Sequence, residues 1–367
     1  MRYKNAFWRV IVVPMRVLNL SLDKEVLKEG TLVQKRLATL AAAAGEIVVL
    51  TPFSHSGSKV AKFFKLWKQA RKVLSEKLFD FITVQDTSYL ALLAYMLAKK
   101  SRIPLEVQVH GFEKLRGVRK LLARFVLRHA DKIRVVSERL RREISPRSYV
   151  LPVYTQIPSQ PPLCKGGEEG GDFVFLTVGR LVPVKNIALQ IRAFAQVVRK
   201  FPQARLVIVG DGPEQKNLGR KAKSEKVEEK IRFEGRQENL EKYYQEADAF
   251  LLTSDSEGWG VVVTEAAAYG LPIIMTDVGC AGEFIKNGEN GIVIPVSDED
   301  ALVAAMRRVI EDTELRARLG HAARASFAAL PSADEQIRKQ VEEWRLLVRQ
   351  RMTPDVCRLS TSGVLMI

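Results

Sequence analysis

Glu257-Gly258-Trp259-Gly260 runs into Val261-Val262-Val263-Thr264 and then Glu265-Ala266-Ala267-Ala268-Tyr269-Gly270, so two carboxylates are separated by seven residues. Leu251-Leu252 ends a strand, the glycines make a turn, and Val261 to Tyr269 holds no breaker before Gly270, which predicts a helix. Glu257 then lies on a loop before a helix N-terminus, and Glu265 about two turns further in, near the same face. Amides at a helix start attract anions, above all where glycine lets a ligand reach the backbone. Carboxylates beside such amides can bind hydroxyls, as sugar and ribose recognition requires. A helix capped by Glu257, with Glu265 in solvent, fits the same residues.

Other strand ends carry polar groups. Phe175-Leu176-Thr177-Val178 closes on Gly179-Arg180, and Lys185-Asn186 follows. At the C-terminal end of a parallel strand, Arg180 and Lys185 could together neutralise a diphosphate; two surface cations on a strand–helix loop are the plainer alternative. Val209-Gly210-Asp211-Gly212-Pro213 lacks the third glycine of a dinucleotide fingerprint, which argues against a hydride-transfer cofactor. Arg232-Phe233-Glu234-Gly235-Arg236 ends another strand on a glycine, open to backbone contact with a flat ring. His110-Gly111 ends Val107-Gln108-Val109 where a ligand would sit, although a lone histidine there is more often structural. No His/Cys cluster suggests a metal, and no GxSxG, HExxH or P-loop pattern is present.

Alternating elements must position these ends. In the first half, β-rich runs at Val10–Val13, Ile47–Leu50, Phe81–Val84, Leu105–Val109 and Ile133–Val136 alternate with helical spacing such as Leu32–Ala44 and Tyr89–Lys99. Prolines and glycines then crowd residues 152–172, the strongest linker signal in the chain. The alternation restarts at Phe173–Val178, Leu206–Val209, Ile231–Phe233, Ala249–Leu252, Ile273–Met275 and Ile292–Ile294. Strands alternating with helices predict an α/β chain of two Rossmann-like halves facing a cleft, the default ligand site. A last helix over Ala333–Arg351 has no evident place in the second sheet.

At 367 residues, each half is long enough for its own core. No segment approaches the roughly 20 apolar residues that span a bilayer, and the N-terminus does not read as a signal peptide. Three widely spaced cysteines (Cys164, Cys280, Cys357) argue for a reducing compartment, by default the cytoplasm. Residues 1–170 hold 31 Lys+Arg against 14 Asp+Glu, whereas residues 171–367 hold 27 against 28. The basic excess thus belongs to the first half and implies an anionic partner. Two basic segments carry it, 59–78 and 114–142, with apolar residues at helical spacing between the cations. Burial of an apolar stripe under a solvated basic face would explain both; contact with anionic lipid is the sharper reading, with Trp67 suited to an interface. No reader motif favours nucleic acid.

Taken together, Gly179-Arg180 with Lys185-Asn186, Gly210-Asp211-Gly212-Pro213, Phe233-Glu234-Gly235, Ser254 to Gly260, Glu265-Ala266 with Gly270-Leu271-Pro272, and Gly279 with Glu283 and Asn290-Gly291 resemble the retaining glycosyltransferases of family 4 (group 1, GT-B fold). The resemblance covers nearly all of residues 173–330, and the combination is far more specific than any single motif. It implies a first, acceptor-side domain over 1–155, a linker over 156–172, a nucleotide-sugar domain over 173–330, a crossover helix over 331–351 that packs on the first domain, and a tail over 352–367. By the same resemblance, Glu257 contacts the donor sugar, amides of Trp259, Gly260 and Val261 approach sugar and phosphate, and Glu265 binds the ribose hydroxyls. Gly179, Arg180 and Lys185 meet the diphosphate, main chain at Phe233–Gly235 meets the nucleobase, and His110 lies near the sugar. It further implies no metal or other cofactor, only a nucleotide-diphospho-sugar donor, a glycan or lipid-linked acceptor, and a peripheral position on the inner face of the cell membrane. One departure is expected: family members carry a Gly-Gly loop after the first strand, whereas Val13 is followed by Pro14–Leu20 and the nearest glycine is Gly30.

Overall fold

A computed structural model describes residues 14–111, 117–153, 161 and 171–351. Apolar, β-branched runs form the strands and longer amphipathic runs the helices between them. In chain order the first elements are β1 (Met15–Leu20), α1 (Leu32–Ala44), β2 (Gly45–Leu50), α2 (Lys59–Glu76), β3 (Phe81–Val84), α3 (Tyr89–Ser101), β4 (Leu105–Val109), α4 (Val118–His129), β5 (Lys132–Val135), α5 (Glu138–Ile144) and β6 (Tyr149–Val150). The series then repeats with β7 (Phe173–Val178), α6 (Ile187–Val198), β8 (Ala204–Val209), α7 (Gln215–Ser224), β9 (Ile231–Gly235), α8 (Glu241–Glu246), β10 (Ala249–Leu252), α9 (Val261–Ala268), β11 (Ile273–Thr276), β12 (Ile292–Ile294), α10 (Glu299–Glu311), α11 (Thr313–Ala328) and α12 (Ala333–Arg351). The strands form two six-stranded sheets, β2-β1-β3-β4-β5-β6 and β12-β11-β10-β7-β8-β9. Pairs such as β1–β3 and β7–β8 are parallel, as strands joined through helices must be.

The chain divides into two compact units, the first comprising 1–109, 116–134 and 334–367, the second 110–115 and 135–333. In the first unit, α12 returns to the first sheet. The Trp344 ring packs against Phe81 at a tilt of 58°, centroids 5.2 Å apart, and its indole N–H donates to Glu106 at 2.9 Å. Glu106 also accepts from Thr83 (2.7 Å) and Gln108 (2.9 Å), while Arg134 donates to Gln108 (3.2 Å) and to Gln340 on α12 (3.1 Å). A buried carboxylate is tolerable only with such donors around it. In the second unit, Phe175, Phe194, Leu206, Ile208, Leu251 and Met306 belong to one apolar core.

Three expectations change. Among the described residues the first strand is Met15–Leu20; the expected run Val10–Val13 lies outside them. Pro14 directly before β1 is compatible, since a strand's first positions tolerate the missing donor. The stretch expected to be the first loop is therefore the strand itself. The loop is Ser21–Thr31, in which Gly30 has φ +73° and Thr31 caps α1 by accepting from the Gln34 amide. Second, the basic segment 114–142 is not one helix: β5 separates α4 from α5, and residues 114–116 lie outside the described ones. Third, α2 buries Leu66 and Ala70, while Val60 and Phe64 of the expected apolar stripe point outward, 81% and 59% exposed. The linker 156–172, apart from 161, 171 and 172, and the tail 352–367 lie outside the described residues.

Candidate functional site

Glycines stitch three strand ends of the second unit together. The Gly179 amide donates to the Val209 carbonyl (2.9 Å), the Leu181 amide to Asp211 (2.7 Å) and the Gly210 amide to Gly235 (2.8 Å). Gly210 has φ +138°, and a Cβ there would lie 1.8 Å from the Gly179 carbonyl oxygen; one at Gly212 would lie 2.3 Å from that of Leu181. The Gly-Asp-Gly element is thus a packing device that holds the β8 loop against the β7 loop.

That packing presents Lys185 to Glu257. The Lys185 ammonium is ion-paired with Glu257 Oε1, the two side chains being 21% and 13% exposed. Ser254 Oγ donates to the same oxygen at 2.7 Å. Backbone and side chains both fix the lysine loop: Thr253 Oγ1 donates to the carbonyls of Lys185 (3.2 Å) and Asn186 (3.1 Å), and the Asp255 amide donates to Val184 (2.8 Å). Asn186 sits in the left-handed region (φ +46°) with its amide on Asp255 at 3.0 Å. Arg180, two residues past the end of β7, is exposed. Positive charge from this loop and negative charge from Glu257 therefore meet at one point, partly shielded from water.

Glu257 is not a helix cap. Gly260 (φ +91°) occupies the N-cap of α9 and no side chain caps that helix, so its first amides are free of side-chain acceptors. Trp259 is buried beside Phe284, ring centroids 6.2 Å apart. Gly279 lets its loop lie on this turn, since a Cβ there would approach the Trp259 oxygen to 2.6 Å and the Glu257 Cβ to 2.9 Å. His110 belongs to the same unit, and its carbonyl packs where a Cβ on Gly258 would fall, 1.7 Å away.

Further along α9, Glu265 is only partly exposed and accepts from the Tyr244 hydroxyl at 2.7 Å. Burial raises the Glu265 carboxyl above the ordinary carboxylate range, and the Tyr244 hydrogen bond opposes that rise. Burial likewise pushes the Tyr244 phenol well up, with Glu265 adding to it. Phe233 packs its ring on the apolar core, leaving its backbone and that of Gly235 (φ +64°) at the end of β9. Glu283 accepts from the Glu138 amide at the start of α5 (2.9 Å), and Asn290 bonds the Phe284 carbonyl and Ser326 (2.9 and 2.8 Å), so both serve architecture.

The structure thus brings Lys185, Ser254 and Glu257 into direct contact, and Gly179, Gly210 and Gly235 into one backbone cluster. Sequence reasoning named Ser254 only as the start of the motif that ends at Gly260, with no role of its own, and did not single out Tyr244. The hydroxyl three residues before Glu257 was visible as a short polar spacing; nothing in the chain between Tyr244 and Glu265 announces their meeting. Among the described residues, no group of three or more His, Cys, Asp or Glu could hold a metal ion.

Two family models match: Glycosyl transferases group 1 over residues 164–326, and Glycosyl transferase 4-like domain over residues 33–157. The chain belongs to the group 1 glycosyltransferases. This group 1 chain is 29% identical to the N-acetyl-alpha-D-glucosaminyl L-malate synthase of Bacillus anthracis across 56% of its own length and 57% of that relative's. It is 27% identical to the alpha-monoglucosyldiacylglycerol synthase of Acholeplasma laidlawii across 79% of its length and 80% of the relative's. The first of these matches therefore spans little more than half of the curated relative. Two solved structures share the fold: sucrose-phosphate synthase from Thermosynechococcus elongatus (TM-score 0.78, 20% identity, 92% of this chain and 100% of that one) and Anabaena HepE in complex with UDP and glucose (TM-score 0.75, 19% identity, 90% and 98%). The group 1 chain has the GT-B fold. Its motifs fall where β7, β8, β9 and β10 end, and the glycine of its first loop is Gly30 alone.

Proposed function

We propose that the protein transfers a sugar, with retention of anomeric configuration, from a nucleotide-diphospho-sugar to a glycan or lipid-linked acceptor, without a metal. The observation that carries this reading is the Lys185–Glu257 pair beside the uncapped start of α9. Such a site offers a cation for a phosphate, a carboxylate for sugar hydroxyls and free amides for the anion between them. In this reading Arg180 and Lys185 stabilise charge on the departing diphosphate, which is where preorganised cations act most strongly on a barrier. The leaving phosphate takes the acceptor hydroxyl's proton as the new glycosidic bond forms on the same face. Glu257 orients the donor sugar, Glu265 the ribose, and His110 lies on the sugar side. Incubation with a panel of nucleotide sugars tests it. Nucleotide release that Glu257→Ala abolishes is expected; no release from any donor, with Glu257→Ala changing nothing, sinks it.

For the acceptor side, a lipid-linked substrate at an anionic membrane has specific support. In the first unit, Val118, Leu121 and Phe125 are exposed along α4 among Arg119, Lys120, Arg124 and Arg128, and Val60 and Phe64 are exposed on α2 beside Lys65 and Lys68. Apolar residues set among cations suit an interface of anionic headgroups, each cation adding roughly 1 kcal/mol. Arg139 is excluded from that role, being ion-paired with Asp277. The diacylglycerol in the name of the Acholeplasma laidlawii relative points the same way. No helix among the described residues is long and apolar enough to cross a membrane. Sedimentation with phosphatidylglycerol vesicles is expected at low salt and reduced at high salt; absence of pelleting at low salt refutes the membrane proposal alone.

A further inference from the structure

Glu265 has one oxygen engaged and one to spare. Its Oε2 accepts from the Tyr244 hydroxyl at 2.7 Å, and Tyr244 is only 1% exposed. The Tyr244 ring is clamped: it stacks on Tyr269 at 5.1 Å and 14°, and tilts against Phe250 of β10 at 6.1 Å. Tyr269 follows the last residue of α9, the helix that carries Glu265. The donor and its acceptor are therefore tied to the same helix by two independent contacts, a hydrogen bond and a ring stack. A phenol so held cannot follow the carboxylate if it turns. It fixes the carboxylate's rotation, because turning would strand a buried hydroxyl and a buried oxygen together. A carboxylate has about four lone-pair sites, and this contact uses one of them.

We propose that Tyr244 is a positioning residue for ribose recognition: it pins Oε2 of Glu265 so that Oε1 is left, in one orientation, to accept from the ribose hydroxyls of the donor. The proposal rests on the reading of Glu265 as the ribose ligand. It makes a claim about specificity that the reading does not. A site built to bond a hydroxyl rejects the analogue lacking it only when its own polar group cannot find another partner. With Tyr244 in place, loss of a ribose hydroxyl leaves Oε1 bare. Without the phenol's hydrogen bond, Glu265 can turn and share whichever hydroxyl remains.

The test uses the full chain and the nucleoside diphosphate that binds best among UDP, GDP and ADP, against its 2′-deoxy counterpart, by calorimetry. The parent is expected to prefer the ribonucleotide by about 10-fold or more, and Tyr244→Phe to reduce that ratio to about 3-fold or less, with the loss confined to the ribonucleotide. Tyr269→Leu, which removes the ring that clamps Tyr244, should lower the ratio in the same direction and serves if Tyr244→Phe does not fold. An unchanged ratio in the variants, even with both affinities weakened together, overturns the proposal and marks Tyr244 as packing only. Glu265→Ala separates the two levels. If it abolishes the preference while Tyr244→Phe keeps it, the positioning role fails and the ribose reading stands; if it keeps the preference, the ribose reading itself fails.

Discussion

In the first unit, Thr83, Glu106, Gln108 and Arg134 are at most 2% exposed and spend their hydrogen bonds on one another and on α12. In the second, the buried polar groups Thr177, Gln190 and Thr253 are neutral and bond locally, while Lys185 and Glu257 stand at strand ends, partly open to water. Charge inside the first sheet fastens a helix that arrives from the far end of the sequence. Charge at the edge of the second sheet is available to a ligand. The difference shows that a buried ionisable cluster is not by itself a reason to look for chemistry: the cluster with the greater burial is the structural one, because every member of it already has a partner.

The widest test of this contrast is Trp344→Ala. It removes a fully buried ring and one donor to Glu106, and should cost about 4 kcal/mol by urea unfolding while leaving nucleoside diphosphate affinity unchanged. A cost under about 1 kcal/mol would mean that α12 is not held through that ring. Next, Glu257→Gln should lower turnover by about 100-fold, the scale of one lost electrostatic contact, yet tighten binding of the bare nucleoside diphosphate several-fold, since Lys185 no longer has a competing carboxylate. Equal weakening of both would show that the pair does not compete with phosphate. Gly210→Ala should destabilise by about 2 kcal/mol and weaken the nucleotide, as its Cβ cannot coexist with the Gly179 carbonyl.

The smallest effect tests pH. Because Glu265 is raised in the fold, its contribution to stability is fully present below the unfolded carboxylate value, about pH 4.3, and is lost as pH rises through the folded value. Glu265→Gln should therefore melt about 2 °C above the parent at pH 7, with the gap closing toward pH 4. A gap that stays constant over that range would show that Glu265 does not titrate as its burial requires.

Much of the second unit was legible because its signals are local. The runs Phe173–Val178, Ala249–Leu252 and Ile292–Ile294 are strands with those bounds, and Gly210, Gly212 and Gly258 mark real backbone approaches. Met15–Leu20 does not read as a strand in the sequence because Arg16 and Asn19 break its apolar run. Asn19 is nonetheless buried, since β1 is a central strand paired on both sides. The outward turn of Val60 and Phe64 was hidden for a related reason: helical spacing gives a stripe but not which stripe meets the sheet, and on α2 the smaller Ala70 with Leu66 does so. The Tyr244–Glu265 contact depends on how α8 and α9 sit against β10, which no short window encodes.

Gly279 lets its loop rest on the Glu257–Trp259 turn. The Cys280 amide also donates to the Trp259 carbonyl at 2.9 Å, and the Cys280 thiol is pushed up by burial and sealed beneath. Residues 253–260 and 277–283 are consequently one exchangeable cassette. A chimaera that imports either segment from a relative without the other inherits a mismatched surface, so loop grafting at this turn must move the two together.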